Sequence, residues 1–393
     1  MEKERESMAM LPTRMSAKRW KGGSGARRSS RRNDMLGQAV LWAAGLVALA
    51  VLLPLGLVDR LADRPPAAET GPGPAPPMTG TPGGGTEVRV YLANARKIES
   101  VPLEQYVRGV LAAEMPADFE LEALKAQAIA ARTYIVRRLR TGDTAGVPEG
   151  ADVTDTVAHQ VYIPLAELAK RPERTIAKLN RAVNETRDQV VTYQGEPIMA
   201  AFFSTSNGYT ENAEDYWKNP VPYLKSVPSP WDEAESPRYA ETVELALNEV
   251  LEKLGLTPAA VPGLAQASRQ GGGGAGSASS DTVAGDGLAE DVRILSRTAG
   301  KRVDEVQFGS KRFSGREIRE KLNLRSSGFD WERDGDKLRI TTYGYGHGVG
   351  MSQYGAQGMA KQGAAAERIL TYYYTGVQLD KASKLLTPNR PSS

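Results

Sequence analysis

A glycine-rich block at 343–360 constrains the fold more than any other feature of this chain. It places six glycines among large and polar residues and carries His347, one of two histidines in the protein. Glycine loses more backbone freedom on folding than other residues, so such a block predicts positive φ angles or close backbone approaches. A tight loop without a ligand is the alternative interpretation.

The N-terminal 86 residues divide into three segments of different composition. Residues 1–35 hold ten Lys or Arg against four Asp or Glu, whereas residues 36–58 carry no charge. At about 1.5 Å per residue, 36–58 reaches roughly 35 Å and could cross a bilayer. The positive-inside rule then predicts a single-pass cell-membrane protein with a cytoplasmic basic tail at 1–35. A cleaved signal peptide is the alternative.

The remaining composition restricts the partners and cofactors that we expect. Residues 59–86 are rich in Pro and Gly and are interpreted as a linker. The chain beyond residue 35 has 40 basic and 43 acidic residues, which argues against a nucleic-acid partner. It has no cysteine, so disulfides and thiolate metal sites are excluded, and no metal or other cofactor is expected.

An α+β domain of mixed helices and antiparallel strands is predicted at 87–390, outside the membrane. Apolar spacing predicts helices at 103–114 and 120–140. Strands are predicted at 88–92, 189–193, 198–204, 292–297, 303–308 and 338–343. A smaller excursion is expected at 233–290, with a flexible Gly/Ser loop at 270–288. Ser314 and Glu317 fit a capping box that opens a short helix.

Glu114 is the strongest candidate for acid–base chemistry. Apolar residues surround it in sequence, and Pro116 makes continuation of its helix unfavourable. Desolvation by such neighbours would raise its pKa towards the range of a general acid. A surface glutamate at a frayed helix end is the alternative. Arg132 lies in an alanine-rich helix, where a long cationic side chain is expected to have a partner. We expect either an ion pair with a carboxylate, or contact with Glu114 or substrate.

The segment 202–212 places hydroxyls and amides between aromatic residues, which suits the hydroxyls and C–H faces of sugars. Its candidate contacts are Ser204, Ser206 and Asn207. An ordinary β-turn is the alternative, with Asn207 and Gly208 in a type I′ hairpin. Ser204 or Ser206 paired with His347 as a nucleophile is conceivable, although no Gly-x-Ser-x-Gly motif is present.

Three further sets of residues are candidates for supporting, core or acidic roles. Tyr223 and Lys225 would share one face of an extended segment. His159 is interpreted as a hydrogen-bonded core residue. The candidates for a second carboxylate are Glu211, Glu214, Asp215 and Asp232.

Several of these blocks occur together and in order. They are 113–116, 122–134, 155–162, 204–212, 222–232, 314–319 and the glycine-rich block. Together they resemble the stage II sporulation protein D (SpoIID/LytB) family of membrane-anchored lytic transglycosylases. The resemblance implies cleavage between N-acetylmuramic acid and N-acetylglucosamine, with 1,6-anhydromuramoyl ends, during engulfment of the forespore.

The same resemblance implies roles for individual residues around a glycan-binding cleft. Glu114 takes the position of the catalytic acid. The supporting positions are Arg132, Tyr223 and Lys225. Tyr345, His347 and Gln353 are weaker candidates for orienting the sugar or Glu114, with loop scaffolding as their alternative role.

The resemblance also implies partners, and it leaves other functions open. The partners are peptidoglycan strands, an amidase that removes stem peptides, and a multi-pass membrane scaffold. The resemblance implies that some family members bind a metal such as zinc through His and Cys, but cysteine is absent from this chain. One alternative is a non-catalytic, peptidoglycan-binding enhancer of amidases. Another is a two-carboxylate glycosidase that uses Glu114 with Asp215 or Glu211.

Overall fold

The computed structural model describes residues 85–257, 292–334 and 336–386. The helices in these ranges are α1 (Leu103–Glu114), α2 (Leu121–Thr141), α3 (Leu165–Leu168), α4 (Glu173–Glu185), α5 (Ala213–Trp217), α6 (Asp232–Glu235), α7 (Leu247–Leu254), α8 (Gly315–Leu322), α9 (Gln353–Lys361), α10 (Ala366–Tyr373) and α11 (Ala382–Leu386). None of them combines the length and apolar character that a membrane crossing requires. The predicted tail at 1–35, the anchor at 36–58 and most of the linker lie outside the described residues.

The strands form small sheets of two or three strands. They are β1 (Glu87–Leu92), β2 (Lys97–Pro102), β3 (Val153–Thr154), β4 (Gln189–Tyr193), β5 (Glu196–Pro197), β6 (Phe202–Phe203), β7 (Ala240–Ala246), β8 (Val292–Arg297), β9 (Val303–Phe308), β10 (Lys311–Ser314), β11 (Phe329–Asp334), β12 (Lys337–Tyr343), β13 (Met351–Ser352) and β14 (Gln378–Lys381). Their orders are β2-β1-β3, β14-β4-β5, β10-β9-β8, β11-β12-β7 and β13-β6.

The predicted mixture of helices and strands is confirmed, but the expectation of antiparallel pairing is wrong at two places. Strand β1 pairs with β3 in parallel, with Val90 opposite Val153. Strand β6 pairs with β13 in parallel, with Phe202 opposite Met351. In each pair, a long stretch of sequence that contains helices separates the two strands, and parallel pairing requires such a crossover connection.

Helix α2 lies at the centre of the first hydrophobic core. Its middle contains small residues without exposed surface, namely Ala126, Ala128, Ala130 and Ala131. Small side chains allow neighbouring elements to approach closely. Helices α1, α4, α9, α10 and α11 and strand β4 therefore pack around α2. The helix ends at Gly142, whose φ of 62° is a left-handed conformation that glycine adopts without strain.

A second hydrophobic core is formed by α7, α8 and the strands β8, β9, β11 and β12. Its buried residues run from Leu247 to Ile340, beyond the limit of 290 predicted for the excursion. The predicted capping box is confirmed, because Ser314 Oγ accepts a hydrogen bond from the Glu317 N–H at 3.1 Å and a Glu317 carboxylate oxygen accepts one from the Ser314 N–H at 2.7 Å. The loop at 270–288 lies outside the described residues.

The segment 202–212 pairs with the glycine-rich block and forms no hairpin of its own. The strand predicted at 198–204 is reduced to β6. The predicted type I′ turn is wrong, because it needs positive φ at both residues and only Gly208 has it. Instead the Thr205 and Tyr345 backbones exchange hydrogen bonds at 3.0 and 2.7 Å.

The predicted backbone conformation of the glycine-rich block is confirmed. Gly344, Gly346, Gly348 and Gly350 have φ angles between 75° and 113°. A Cβ atom on Gly350 would lie 2.0 Å from the Ala201 carbonyl oxygen. The block therefore needs glycine both for its backbone angles and for its close approach to β6.

Candidate active site

Glu114 is the last residue of α1, and the local sequence explains why the helix ends there. Met115 has extended angles, with φ −129° and ψ 137°. A residue that precedes proline is disfavoured in the helical region, and Pro116 follows. Met115 is also buried, so the chain turns into the core directly after Glu114. The Glu114 carboxyl group is thereby left at the end of a helix whose next residue is anchored.

The environment of the Glu114 carboxyl group favours the protonated form. Glu114 is half-buried, and its Oε1 accepts a hydrogen bond from the Val161 N–H at 3.1 Å. Burial raises its pKa from 4.5 to about 7, and the Val161 hydrogen bond opposes this rise only in part. Near neutral pH the group can therefore both donate and accept a proton. The predicted direction of the pKa shift is confirmed.

Gln353 contacts the main chain of Glu114. Its Nε2 donates to the Glu114 carbonyl oxygen at 3.0 Å and to Gln127 Oε1 at 3.4 Å. Gln353 is the first residue of α9, which Ser352 caps by accepting the Gly355 N–H at 3.2 Å. The end of the glycine-rich block therefore supplies a donor to a carbonyl in the last turn of α1, where intrahelical donors are missing.

The segment 159–162 presents the Val161 N–H to Glu114 because it is fixed on α1. Tyr106 Oη donates to Gln160 Oε1 at 3.0 Å, and the Tyr106 and Tyr162 rings stack with centroids 5.6 Å apart. A Cβ atom on Gly109 would lie 2.2 Å from the Tyr162 ring. The absence of a side chain at 109 is thus what lets this segment lie against α1.

His159 is a core residue, as predicted, and it does not fit a zinc site. It is buried, with Nδ1 at 2.8 Å from Thr154 Oγ1 and Nε2 at 3.2 Å from the Ala145 carbonyl oxygen. Both ring nitrogens are occupied, whereas zinc ligation needs a free one. Within the described ranges, no three acidic or histidine side chains converge as a metal site would require. The residues around His159 therefore do not fit a zinc site.

Arg132 forms a buried ion pair, which is one of the two predicted alternatives. Its side chain has no exposed surface, and its Nη2 lies 2.6 Å from Glu104 Oε2. Its Nη1 also donates to the Gln189 carbonyl oxygen at 3.1 Å. Glu104 and Glu114 are ten residues apart on α1, or about 15 Å. The described contacts of Arg132 are thus with Glu104 and not with Glu114, so Arg132 anchors the opposite end of α1, and its supporting role in the cleft stays a prediction.

Tyr223 and Lys225 each have a polar partner in the part of the fold around the first hydrophobic core. Tyr223 Oη accepts the Met199 N–H at 2.9 Å, and Lys225 Nζ lies 2.6 Å from Glu214 Oε1. Both side chains are half-buried. The described hydrogen bonds do not connect either residue to Glu114, so their supporting role in the cleft stays a prediction.

The candidate serines and Asn207 are engaged in structural contacts. Ser204 Oγ lies 3.2 Å from Thr205 Oγ1, and Ser206 Oγ donates to the Ser229 carbonyl oxygen at 3.1 Å. Asn207 donates to the Gly300 carbonyl oxygen at 3.1 Å, so it joins the segment to the second core. A serine–histidine nucleophile is wrong, since neither hydroxyl bonds to an imidazole. Whether these residues contact sugars stays a prediction.

His347 is a neutral scaffold residue. It is 4% exposed and lies 5.6–5.7 Å, between ring centroids, from Phe203, Tyr216 and Trp217. Burial, together with nearby arginines, lowers its pKa from 6.5 to about 3. Its Nδ1 accepts the Val349 N–H at 3.0 Å. The Tyr345 ring lies 5.2 Å from the Arg325 guanidinium carbon, and its role in orienting the sugar stays a prediction.

The candidates for a second carboxylate each have their own partners. Glu211 is buried and accepts from Thr298 Oγ1 at 2.6 Å, and burial raises its pKa. Glu214 pairs with Lys225, and Asp215 accepts from Asn212 at 2.8 Å. Among the described residues, no hydrogen bond links these carboxylates to Glu114.

Asp232 holds together the segments that surround α9. It has no exposed surface and accepts hydrogen bonds from the Ser206 N–H at 2.7 Å, from Ser229 Oγ at 2.6 Å and from the Ser352 hydroxyl. Burial raises its pKa, and these hydrogen bonds oppose the rise. Because Ser352 caps α9, this buried carboxylate fixes the helix that carries Gln353.

Sequence reasoning missed two contributors to the Glu114 environment. Gln127 is buried in α2 between alanines, and a lone glutamine in such a stretch was a signal for a polar contact inside the core. The Val161 N–H had no signal, because a main-chain donor is not encoded by side-chain type.

Comparison with known proteins identifies the family. Residues 91–193 match the SpoIID family model, described as Stage II sporulation protein. Stage II sporulation protein D of Bacillus subtilis (strain 168) is 44% identical over 303 residues, which cover 76% of this chain and 80% of that protein. The protein of the same name from Bacillus amyloliquefaciens is 43% identical over 304 residues, with the same two coverages. The amidase enhancer of B. subtilis is 31% identical over 307 residues, 70% of this chain and 40% of that protein. The predicted resemblance is confirmed, and the chain belongs to the stage II sporulation protein D family.

Proposed function

We propose that this sporulation protein is a peptidoglycan lytic transglycosylase with Glu114 as its catalytic acid and base. The observation that carries the proposal is a partly accessible carboxyl group with a pKa raised to about 7 and a single main-chain donor. General acids work best when their pKa lies near the working pH. The Val161 N–H holds the carboxyl group in place and stabilises its ionised form during the reaction.

The proposed reaction requires one carboxyl group. Glu114 donates its proton to the glycosidic oxygen between N-acetylmuramic acid and N-acetylglucosamine as the bond from C1 breaks. The resulting carboxylate accepts the proton of the muramic acid C6 hydroxyl as that oxygen bonds to C1. The products are a 1,6-anhydromuramoyl end and a free 4-hydroxyl on N-acetylglucosamine. No water is consumed, and intramolecular attack benefits from proximity.

The single-carboxylate mechanism agrees with the surroundings of Glu114. Hydrolysis with a positioned water normally uses two carboxyl groups about 5–9.5 Å apart. The acidic residues at 211–215 are held by Thr298, Lys225 and Asn212. Gln353 adds a neutral donor on the main chain of Glu114. This arrangement supports a reaction in which the same group acts twice.

Mass spectrometry of the glycan products tests the proposal. The purified full chain is incubated with peptide-free glycan strands. We expect fragments lighter by one water than reducing products, and their loss in Glu114→Gln. Glu149→Gln is the matched control, because Glu149 is an exposed carboxylate in the loop that follows α2. Reducing ends would instead support a two-carboxylate glycosidase and contradict the proposal.

A second candidate function is non-catalytic enhancement of an amidase. The B. subtilis amidase enhancer, 31% identical to this chain, is the observation that favours it. In that case the chain would bind peptidoglycan without cutting it. The absence of any glycan product, together with unchanged amidase stimulation by Glu114→Gln, would support this function over the first.

The proposal includes a cellular setting. The chain would act in forespore engulfment, anchored by 36–58, beside an amidase that removes stem peptides and a multi-pass membrane scaffold. Because the chain has no cysteine, single cysteines can report its topology. Ser393→Cys should react with an impermeant maleimide in intact cells, and Ser16→Cys only after permeabilisation. The reverse pattern would contradict the orientation.

A further inference from the structure

We propose that an aromatic shelf, formed by Tyr354 and Trp231 along α9, binds a sugar ring of the glycan strand beside the bond that Glu114 cleaves. The inference rests on the proposed function and deepens it by naming a second part of the substrate surface. It also rests on the position of Tyr354, on the packing of Trp231 against α9, and on the spacing of positions 354 and 358 along that helix.

Tyr354 lies next to the catalytic glutamate in the fold. It follows Gln353, which contacts the Glu114 carbonyl oxygen. Its ring meets Phe119 edge-on with centroids 5.0 Å apart, and Phe119 lies in the turn that joins α1 to α2. The side chain is half-buried, so this contact leaves part of the ring accessible. Tyr354 therefore extends the surface that begins at Glu114.

Trp231 lies on α9 because residue 358 has no side chain. A Cβ atom on Gly358 would be 2.3 Å from Trp231 Cβ. The indole N–H donates to Gln362 Oε1 at 2.8 Å, and the Tyr372 ring meets the indole at 5.5 Å between centroids. These contacts fix the plane of a ring that is half-buried and keeps part of its surface accessible. A fixed, partly open aromatic ring is suited to stacking.

The two side chains are carried by, or packed on, positions of α9 that lie on one face of the helix. Positions 354 and 358 are i and i+4 on one face of α9 and are separated by about 6 Å along the helix axis. Trp231 packs over Gly358, one helical turn beyond Tyr354 on α9. The distance along the helix between these two positions is comparable to the length of one sugar ring. A strand bound at Glu114 can thus continue over both aromatic side chains.

The chemistry of the shelf favours an uncharged sugar. Aromatic rings bind the C–H faces of sugars, and the hydroxyl of Tyr354 can exchange hydrogen bonds at the edge. Asp118 lies near Tyr354 and raises the pKa of its phenol after the larger effect of burial. Glu235 on α6 is paired with Lys361 at 2.7 Å. N-Acetylglucosamine therefore fits better than N-acetylmuramic acid, whose lactyl carboxylate would be repelled by Asp118.

Binding and kinetics together test the shelf. In the full chain carrying Glu114→Gln, we expect Trp231→Leu to weaken binding of peptide-free glycan strands about tenfold, and Tyr354→Leu by a similar factor. Trp231→Phe retains a stacking face and should bind nearly as well as the parent. In the active chain, Trp231→Leu should raise KM and leave kcat almost unchanged, as loss of uniform binding predicts.

The control is Ile98→Ala, an exposed apolar side chain on β2 that should leave binding unchanged. Melting temperatures show that each variant is folded, and Tyr354→Leu provides the test if Trp231→Leu is not. Equal binding by a folded leucine variant and the parent overturns the shelf. If the active chain releases no anhydro ends but Trp231→Leu still weakens binding, the shelf stands and the proposed activity falls.

Discussion

Replacing Glu114 by glutamine should make the protein more resistant to unfolding at alkaline pH. Burial raises the pKa of Glu114, so the folded chain holds its proton more tightly than the unfolded chain. The free energy of unfolding therefore falls as the pH rises from about 4.5 through about 7. At about 1.4 kcal/mol per pH unit, a change from 4.5 to about 7 corresponds to at most about 3.5 kcal/mol. Glutamine carries no such cost, and its carbonyl oxygen can still accept the Val161 N–H.

The assay is urea unfolding of the wild-type and Glu114→Gln chains at pH 5 and pH 8. Relative to wild type, the variant should gain about 2–3 kcal/mol between the two pH values, with an unchanged m-value. Asp118→Asn removes an exposed carboxylate of the same turn and should show no such gain. If wild type and Glu114→Gln change in parallel with pH, Glu114 titrates as an exposed carboxylate and the physical basis for its acid role is lost.

Three other predictions follow from described contacts. Arg132→Met should lower the free energy of unfolding by up to about 3–5 kcal/mol, because it leaves the Glu104 carboxylate, 13% exposed, without its arginine partner; urea unfolding measures this, and Arg132→Met with Glu104→Gln should recover part of it. The kcat/KM for glycan cleavage should fall as the pH rises above about 7, where Glu114 loses the proton that it must donate; initial rates across pH 5–9 test this. Gly355→Ala should destabilise by roughly 1–3 kcal/mol, because its Cβ would lie 2.0 Å from Tyr373 Oη; the melting temperature reports the loss.

Local patterns in the sequence predicted the elements that carry the site. Apolar spacing and Pro116 located the end of α1 at Glu114. The alanine-rich stretch around Arg132 predicted the central helix, and Ser314 with Glu317 predicted the start of α8. Each of these signals acts within a few residues, which is the range over which helix geometry is determined.

Contacts between distant segments could not be predicted in the same way. The sequence does not indicate that Arg132 forms its ion pair with Glu104, 28 residues earlier, rather than with Glu114. The parallel pairing of β6 with β13 joins residues about 150 positions apart. Their register depends on glycines that permit close approach to Ala201, a property of the folded backbone. The hydrogen bond from Val161 to Glu114 is of the same kind.

The chain enters and leaves the part of the fold around the second hydrophobic core at neighbouring positions. Ala240 at the start of β7 is paired with Tyr343 at the end of β12, and the Gly344 N–H donates to the Tyr239 carbonyl oxygen at 2.7 Å. The described residues of 240–343 therefore form a cassette inserted at a single point of the chain, and chain ends this close can be joined by a short turn. Excising the cassette would leave the helix that carries Glu114 and its partners in α2 and α9 uninterrupted. The part of the chain that carries Glu114 and the inserted cassette are thus joined at one point of the sequence, and in space the hydrogen bonds of Asn207 with Gly300 and of Thr298 with Glu211 also connect them. A change of length within the cassette that keeps the junction and these two contacts should leave the surroundings of Glu114 unchanged.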